Sequence, residues 1–264
     1  MSDELVLCDV AEQVAVLTLN RPGATNALSD AMLAALKARL EAIAVDQAIK
    51  VVVIRGAGKV FCGGHDLKEM QAGRAAVDGG AAYFADLFTR CGALMQMIPA
   101  MPQPVIAQVH GIATAAGCQL VASCDLAICT DTSSFATPGV NIGLFCSTPM
   151  VALTRNVHRK QAMEMLLTGE QIDAGTAKEF GLVNRIVPKE YLAQVVQKYA
   201  EVIASKSPLT LKTGKEAFYH QAEMSLPDAY DYCANVMVQN MLFRDAEEGI
   251  NAFLQKRKPE WTGE

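Results

Sequence analysis

Apolar runs that alternate with helical patterns fill the first half of the chain. The runs at 14–19, 51–54, 105–109 and 125–130 have the length of strands, and segments with apolar residues at helical spacing separate them. A further strand at 5–10 is predicted to pair with the first run as a hairpin. Strands that alternate with helices pair in parallel, and such sheets bind ligands at the carboxyl ends of their strands. The sequence therefore predicts an α/β fold in which the residues after each strand carry the function.

The last quarter of the chain has a different pattern. From Tyr191 onward apolar residues follow the helical period almost without interruption, with breaks at Ser207-Pro208 and at 225–228. We expect a core at residues 1–200 and a C-terminal helical oligomerisation region at 201–264. The helices of this region carry so many apolar residues that we expect the layer to pack on the core or on another subunit.

Charge and composition exclude several functions. The 264-residue chain has a formal charge of −5, whereas proteins that bind nucleic acid or anionic membranes through general charge need a basic surface. In the sequence no apolar run approaches the roughly 20 residues of a membrane-spanning helix, so no membrane span is predicted. The acidic start Met1-Ser2-Asp3-Glu4-Leu5 lacks the basic residues of a signal or transit peptide, so a cytoplasmic protein is expected.

The cysteines and histidines of the sequence form no recognised metal or disulfide pattern. The eight cysteines include no CxxC pair and no zinc spacing, and several lie inside apolar runs, so we predict buried, reduced thiols. The four histidines share no ligand spacing, so no metal site is predicted. The sequence also lacks the GxSxG, GxxxxGK[ST] and GxGxxG motifs of serine hydrolases, P-loop proteins and dinucleotide-binding proteins.

Two turns built from small residues follow predicted strands and precede predicted helices. They span residues 61–68 and 111–119. The first turn of a helix presents backbone N–H groups and favours negative charge, so two such turns can hold one oxyanion between them. Each turn taken alone is equally consistent with a tight connection between a strand and a helix.

Five motifs, in a fixed order along the chain, carry a family resemblance. They are Asn20-Arg21-Pro22 with Asn26-Ala27-Leu28, the turn from Phe61 to Lys68, the segment from Gly111 to Asp125, Phe135-Ala136-Thr137-Pro138, and the tail from Glu247 to Arg257. Together they resemble the enoyl-CoA hydratase/isomerase (crotonase) superfamily over essentially the whole chain. The resemblance implies an α/β crotonase-like spiral of ββα turns with a C-terminal helical trimerisation region, as a homotrimer or as a hexamer of two trimers.

The resemblance also implies the ligand and the site. Members of this superfamily hold an acyl-CoA thioester with its carbonyl oxygen between two peptide N–H groups, which correspond here to His65 and Ala116. Coenzyme A enters as part of this substrate, and no bound cofactor is implied. By the same resemblance Lys68 lies beside the nucleotide phosphates, whereas Phe253 and Lys256 reach the ligand of a neighbouring subunit. The substrate-binding residues implied are Ala24, Ala27, Cys62, Gly64, Asp66, Leu67, Lys68, Gly117, Gln119, Pro138, Gly139, Phe253 and Lys256.

Two positions depart from the family pattern. The hydratases of the superfamily use two glutamates, and the corresponding residues here are Gln119 and Gly139. Neither residue can transfer a proton near neutral pH, although general acid–base catalysis contributes roughly 10²–10⁴-fold to a rate. Hydration by two carboxylates is therefore not expected. Three functions stay open: an enzyme that stabilises a thioester enolate, a decarboxylase-type lyase on acyl-CoA, and a non-catalytic acyl-CoA sensor or scaffold.

Other polar residues near the turns have structural as well as functional interpretations. The Gly-His-Asp sequence around His65 resembles that of methylmalonyl-CoA decarboxylase, although the backbone N–H of His65 alone would satisfy the family pattern. We expect Asp66 to cap the helix that follows it, His110 to be structural, and Cys146 to be an inert thiol.

Overall fold

The computed structural model describes residues 4–264, so Met1–Asp3 of the acidic start lie outside the described residues. The strands of the described range are β1 (Val6–Ala11), β2 (Val14–Leu19), β3 (Val51–Gly56), β4 (Val105–Val109), β5 (Ile112–Thr114), β6 (Leu126–Thr130), β7 (Ser134–Ala136), β8 (Ile172–Asp173) and β9 (Arg185–Val187). Its α-helices are α1 (Asp30–Ala44), α2 (Leu67–Gly73), α3 (Ala81–Ala100), α4 (Ala116–Ser123), α5 (Pro149–Leu153), α6 (Arg159–Thr168), α7 (Ala174–Glu179), α8 (Leu192–Ala204), α9 (Pro208–Gln221), α10 (Leu226–Met241) and α11 (Arg244–Leu254).

Two sheets organise residues 4–264. The larger has six strands in the order β1-β2-β3-β4-β6-β9, and every pair after the β1–β2 hairpin is parallel. The smaller has the order β5-β7-β8, with β5 and β7 parallel. The predicted α/β class, the hairpin and the parallel pairing are confirmed. The smaller sheet was not predicted, because strands of two or three residues carry no readable periodicity.

Alternate residues of the central strands serve two different cores. Val52 and Ile54 of β3 pack in the main core with the buried faces of α1, α3 and α4. Val51 and Val53 face the opposite side, where α8 covers them through Leu192 and neighbouring apolar residues. Burial on both faces explains why β3 reads as a continuous apolar run.

Helix α3 contains a proline, Pro99, that does not end it. The proline lies inside the last turn, and the helix ends at Ala100, where the amide of Met101 donates to the carbonyl oxygen of Ile98. A proline so close to the end of a helix removes only one hydrogen bond of the ladder, so it does not stop the helix.

The C-terminal helices form the outer part of the molecule. Helix α8 passes through residue 200 and packs on the sheet through Ala200 and Ala204, so it belongs with the core on both sides of the division that we predict there. Helices α9, α10 and α11 follow, and α11 packs against α9 and α10. Large apolar side chains on α10 and α11 are exposed, namely Leu226, Tyr230, Met237, Val238, Met241, Ile250, Phe253 and Leu254.

Neither a membrane-spanning helix nor a cluster of metal ligands occurs within residues 4–264. Among them no helix combines the length and the apolar character needed to cross a membrane. Within residues 4–264 no three His, Cys, Asp or Glu side chains are grouped as metal ligands would be. The eight cysteines all lie in this range as free thiols, and six of them are buried.

A buried ion pair fastens α9 to the core. The ammonium group of Lys215 lies 2.7 Å from the Asp125 carboxylate and donates to the carbonyl oxygens of Ile98 and Gln103 at 2.9 Å each. The Tyr219 hydroxyl donates to the second oxygen of the same carboxylate at 2.8 Å. Burial lowers the pKa of Lys215, and Asp125 opposes that shift. Removal of either charge therefore leaves an uncompensated charge in the interior.

Replacement of Lys215 by Met should lower the free energy of unfolding by about 3–5 kcal/mol, because Asp125 then loses its buried partner. The matched control is Lys212→Met on the exposed side of the same helix, for which we expect a change within about 0.5 kcal/mol. Urea unfolding at one fixed protein concentration measures both variants. Equal stability of K215M and K212M would contradict this account of the ion pair.

Candidate functional site

The two small-residue turns lie side by side in the structure. Cys62 of the first turn forms a parallel bridge with Ala113, and the amide of Thr114 donates to the carbonyl oxygen of Cys62 at 3.0 Å. The bridged residues are 51 positions apart in sequence, and so are His65 and Ala116. The bridge therefore places the two turns next to each other, three residues before each member of the pair that the resemblance singles out.

Glycine allows the two main chains to approach each other. A side chain at Gly117 would overlap the carbonyl oxygen of Cys62. A Cβ at Gly64, whose φ is +87°, would lie 2.9 Å from the Ala115 Cβ and 3.3 Å from the Ala116 nitrogen. No other residue type fits at either position without moving one turn away from the other.

The amides of His65 and Ala116 differ from those of their neighbours in hydrogen bonding. Within residues 4–264 neither N–H donates a hydrogen bond, although the amides of Ala115 and Gln119 beside them donate to Ala136 and Ala115. Helix α4 begins at Ala116 directly after Ala115, which adopts the strained backbone angles φ 51° and ψ −119°. The first N–H groups of a helix have no intrahelical partner, so the Ala116 amide at the start of α4 is available to an external acceptor.

The loop between β2 and α1 supports the first turn. The buried Asn26 side chain donates to the carbonyl oxygens of Ala57 at 2.9 Å and Val60 at 2.7 Å. The amide of Gly63 donates to the Thr25 carbonyl oxygen at 2.9 Å, in the same loop. Of the two alanines that the resemblance places beside the nucleotide, Ala24 is half-buried and Ala27 is buried in this loop.

The His65 ring is neutral and without a hydrogen-bond partner. It meets the Phe88 ring of α3 edge to face, with 5.6 Å between ring centroids, and its Nε2 atom is buried with no partner among the described residues. Burial lowers the pKa of His65 to about 4, and the Asp30 carboxylate opposes this shift. The imidazole is therefore uncharged at neutral pH and supplies no positive charge to the site.

Asp66 serves as the helix cap that the sequence predicts. Its carboxylate accepts from the amide of Lys68 at 2.9 Å at the start of α2, and from the guanidinium of Arg21 at 2.7 Å. The bond from Arg21 lowers the pKa of Asp66, so this carboxylate is a poor base. Leu67 and Lys68 are exposed on the first turn of α2, and the Lys68 ammonium joins no ion pair among the described residues.

The residues at the two departure positions are buried. Gln119 is 4% exposed, its side chain makes no hydrogen bond within the described range, and its Oε1 atom is fully covered. A Cβ at Gly139 would lie 2.5 Å from the Leu144 carbonyl oxygen and 2.9 Å from the Cys146 Sγ. Burial also raises the pKa of Cys146. The loop after Pro138 therefore fills the space that a larger residue at 139 would need.

Sequence reasoning missed two features of this region. Ala115 has a positive φ, which non-glycine residues seldom adopt and which no sequence pattern indicates. The hydroxyl of Thr137 is buried without a partner among the described residues, between the end of β7 at Ala136 and the predicted site residue Pro138. His110, in contrast, takes the structural role that the sequence predicts, because its Nε2 atom lies 2.9 Å from the Gly58 carbonyl oxygen.

The structure does not bring every predicted site residue to the turns. Phe253 lies on α11 with 83% of its side-chain surface exposed, and Lys256 follows that helix. Two surface cavities of about 510 and 520 Å³ also lie elsewhere. The first is lined by α11 and the residues after it, and the second by the end of α3 and by α9.

Comparison with known proteins agrees with the fold and the motifs. The family model described as Enoyl-CoA hydratase/isomerase matches residues 9–264. A relative in Xenopus laevis, named enoyl-CoA hydratase domain-containing protein 3, mitochondrial, is 48% identical over 93% of this chain and 82% of its own length. The crystal structure of an enoyl-CoA hydratase from Mycobacterium smegmatis is 50% identical with a TM-score of 0.93, covering 97% of this chain and 98% of the other. The crystal structure of human enoyl Coenzyme A hydratase domain-containing protein 3 is 46% identical with a TM-score of 0.93, covering 97% of this chain and 100% of the other.

The names of the relatives correct one expectation. Five relatives at 42–48% identity are named as mitochondrial, which conflicts with the cytoplasmic location expected from the acidic start of the chain. That expectation is wrong. It rested on the charge of five residues, and the charge of so short a stretch does not determine a cellular compartment.

The neutral state of His65 gives a prediction for the dependence of stability on pH. The pKa of His65 is near 6.5 in an unfolded chain and about 4 in the fold, so only the unfolded state gains a proton between these values. The free energy of unfolding should therefore fall as the pH decreases from 6.5 to 4, and His65→Asn should remove this component. NMR titration of the imidazole proton gives the pKa directly. A midpoint near 6.5 in the folded protein would contradict the prediction.

Proposed function

The chain belongs to the enoyl-CoA hydratase/isomerase family, and from this membership we propose that it binds an acyl-CoA thioester and stabilises the enolate of that thioester. The observation that carries the proposal is the pair of unpaired amides, His65 and Ala116, on adjoining turns. Coenzyme A is then part of the substrate. The amide pair would act as an oxyanion hole, with the thioester carbonyl oxygen between the two donors.

The physical basis is the movement of charge during the reaction. When a thioester enolises or is attacked, negative charge collects on its carbonyl oxygen, and preorganised donors then bind that oxygen more tightly than before. Each such donor contributes roughly 2.7–4 kcal/mol to stabilisation of the transition state. The dipole of α4, which begins at Ala116, favours the same charge.

Ordinary hydration has little support at this site. Gln119 and Gly139 stand where the hydratases of the family carry glutamates, and Asp66 is already bonded to Arg21. A chemistry that depends on the stabilised enolate rather than on two carboxylates suits this set of residues better. The decarboxylase-type alternative gains no support from His65, because a neutral ring does not attract the carboxylate of such a substrate.

A non-catalytic sensor or scaffold for acyl-CoA is the second candidate. The observation that favours it is the same absence of acid and base groups at Gln119 and Gly139. Turnover separates the two candidates. A product formed from any acyl-CoA of a panel, detected by mass spectrometry and lost when the Ala116 turn is disturbed, would exclude the sensor.

The coenzyme and the oligomer are proposed together. Lys68 is exposed beside the first turn and free to bind phosphate, whereas Phe253 and Lys256 lie on the C-terminal part of the chain. We place these two residues at the ligand of a neighbouring subunit in a homotrimer or a hexamer. The exposed apolar side chains of α10 and α11 supply a surface for such contacts, and light scattering measures the oligomeric state.

Replacement of Gly117 by Ala should weaken the binding of butyryl-CoA at least tenfold. The new Cβ overlaps the Cys62 carbonyl oxygen, so the start of α4 must move away from the first turn and carry the Ala116 amide with it. Alanine favours a helix more than glycine does, so loss of helix propensity cannot explain the effect.

Calorimetric titration with butyryl-CoA measures this effect, and Gly92→Ala is its matched control. Gly92 lies inside α3, and the nearest atom to a Cβ there is the Gln96 Nε2 at 4.0 Å, so binding should not change. Wild-type protein without saturable binding of any acyl-CoA would overturn the proposed function. Normal binding by G117A would remove the role given to the two turns.

Replacement of Gln119 by Glu should raise the rate of crotonyl-CoA hydration at least tenfold. The substitution adds one buried carboxylate on α4, three residues after Ala116, and burial raises the pKa of that group toward neutrality, where it acts as a general base. Absorbance of the enoyl thioester follows the reaction, with Gln194→Glu at an exposed position of α8 as the control. Equal rates for wild type and Q119E would show that the missing carboxylate does not limit hydration.

A further inference from the structure

Helix α11 and the residues after it form a closed hairpin. We define residues 257–264 as the strap, which returns along α11 after the chain reverses at Lys256. The amide of Glu260 donates to the Glu248 carboxylate at 2.8 Å, in the middle of the hairpin. At its base the amide of Asp245 donates to the carbonyl oxygen of Glu264 at 3.0 Å. Lys256 is therefore at the tip of the hairpin.

The backbone at the tip is one that favours glycine. Lys256 has a φ of 56°. Its amide donates to the carbonyl oxygen of Phe253, and the amide of Arg257 donates to the carbonyl oxygen of Ala252. These two bonds define the helix end in which glycine usually occupies the left-handed position. A lysine at this position carries a conformational cost that a glycine would not.

The side chain of Lys256 is available for a ligand. The residue is exposed, and its ammonium group forms no ion pair with any residue that the structure describes. Its neighbour Arg257, in contrast, is fully engaged, since its guanidinium contacts both oxygens of the Glu248 carboxylate at 2.6 and 2.7 Å. The chain has a formal charge of −5, so the exposed ammonium group of Lys256 creates a local site on the surface that attracts anions.

The base of the hairpin depends on one buried carboxylate. Asp245 is 2% exposed and accepts from the Ser207 hydroxyl at 2.6 Å, the Thr262 amide at 2.7 Å and the Gly263 amide at 3.1 Å. Ser207 also caps α9, because its hydroxyl oxygen accepts from the amide of Thr210 at 3.1 Å. Asp245 thus joins the strap, α11 and α9 at a single point.

A second anchor lies between the base and the tip. The indole N–H of Trp261 donates to the Ser205 carbonyl oxygen at 2.8 Å, and the ring packs against Gly249 of α11. A Cβ at Gly249 would lie 3.2 Å from this ring. The strap therefore contacts the junction of α8 and α9 as well as its own helix.

We propose that Asp245 is a positioning residue, which holds the strap so that Lys256 stays in its strained conformation and binds the phosphate groups of coenzyme A. The inference rests on the proposed function, which takes acyl-CoA as the ligand and already places Lys256 at the ligand of a neighbouring subunit. It adds the residue that holds the contact in place and the conformational cost of that contact. Lys256 then trades stability for binding, because glycine would fit the backbone better at the same position.

The first test replaces Lys256 by Gly and measures stability and binding separately. K256G should raise the Tm by about 2–4 °C, since it relieves the left-handed strain. It should also weaken butyryl-CoA binding about tenfold, as expected for the loss of one charge-assisted contact. Binding of butyryl-pantetheine, which lacks the nucleotide phosphates, should not change. Lys258→Gly, two residues further along in the strap, is the control and should alter neither ligand's affinity.

The second test removes the anchor. Asp245→Ala should release the strap, which faster hydrogen exchange of the amides at 257–264 would report. The same variant should bind butyryl-CoA more weakly and butyryl-pantetheine as the wild type does. Glu247→Ala, an exposed carboxylate two residues away with no hydrogen bond among the described residues, is the matched control. Trp261→Ala loosens the second anchor without exposing a buried charge, so it replaces D245A if that variant does not fold.

The outcomes separate the inference from the proposed function. Three results would each overturn the inference alone. They are an equal loss of affinity for butyryl-CoA and butyryl-pantetheine in K256G, an unchanged or lower Tm of K256G, and full affinity for butyryl-CoA after release of the strap. Wild-type protein that binds neither thioester would overturn the proposed function, and the role of Lys256 with it.

Discussion

The contact between two main chains, with no side chain between them, is the constraint on which the rest of the structure depends. Gly117 meets the carbonyl group of Cys62 directly, and Gly64 faces the amide of Ala116. Such a contact is possible only if the chain after β3 and the chain that enters α4 run in register, which the bridge between Cys62 and Ala113 provides. The parallel sheet, its crossover helices and the small second sheet all serve to hold these two segments at that separation.

Much of this arrangement could be predicted because it depends on local chemistry. Apolar runs predicted the strands of the large sheet, and the small residues that follow two of these runs predicted the turns. The place of Asp66 directly before a helix predicted its role as a cap. What could not be predicted depends on residues distant in sequence. The filling of the space at Gly139 by Leu144 and Cys146 is a tertiary contact, and the positive φ of Lys256 follows from the strap that closes behind it. Short strands such as β8 were missed because two residues carry no period.

The candidate site has a neutral interior and a charged exterior. Burial keeps His65 uncharged and raises the pKa of the Cys62 and Cys118 thiols to about 12, while Arg21 offsets the charge of Asp66. Polarity in the interior therefore comes from peptide groups, whose orientation the fold has already fixed. Free ammonium groups such as that of Lys68 lie on the outer surface. This division matches a ligand with an uncharged acyl end and a polyanionic coenzyme.

The packing around Gly139 also decides which substitutions this site can accept. A Cβ at this position would meet the main chain of Leu144, so a glutamate fits there only if the loop that follows is rebuilt. Substitution at 119 alone meets no such obstacle, because a glutamate differs from Gln119 by a single terminal group. Introduction of a carboxylate at 139 is thus the harder of the two changes, and a variant that carries both glutamates needs a rebuilt loop as well as two new side chains.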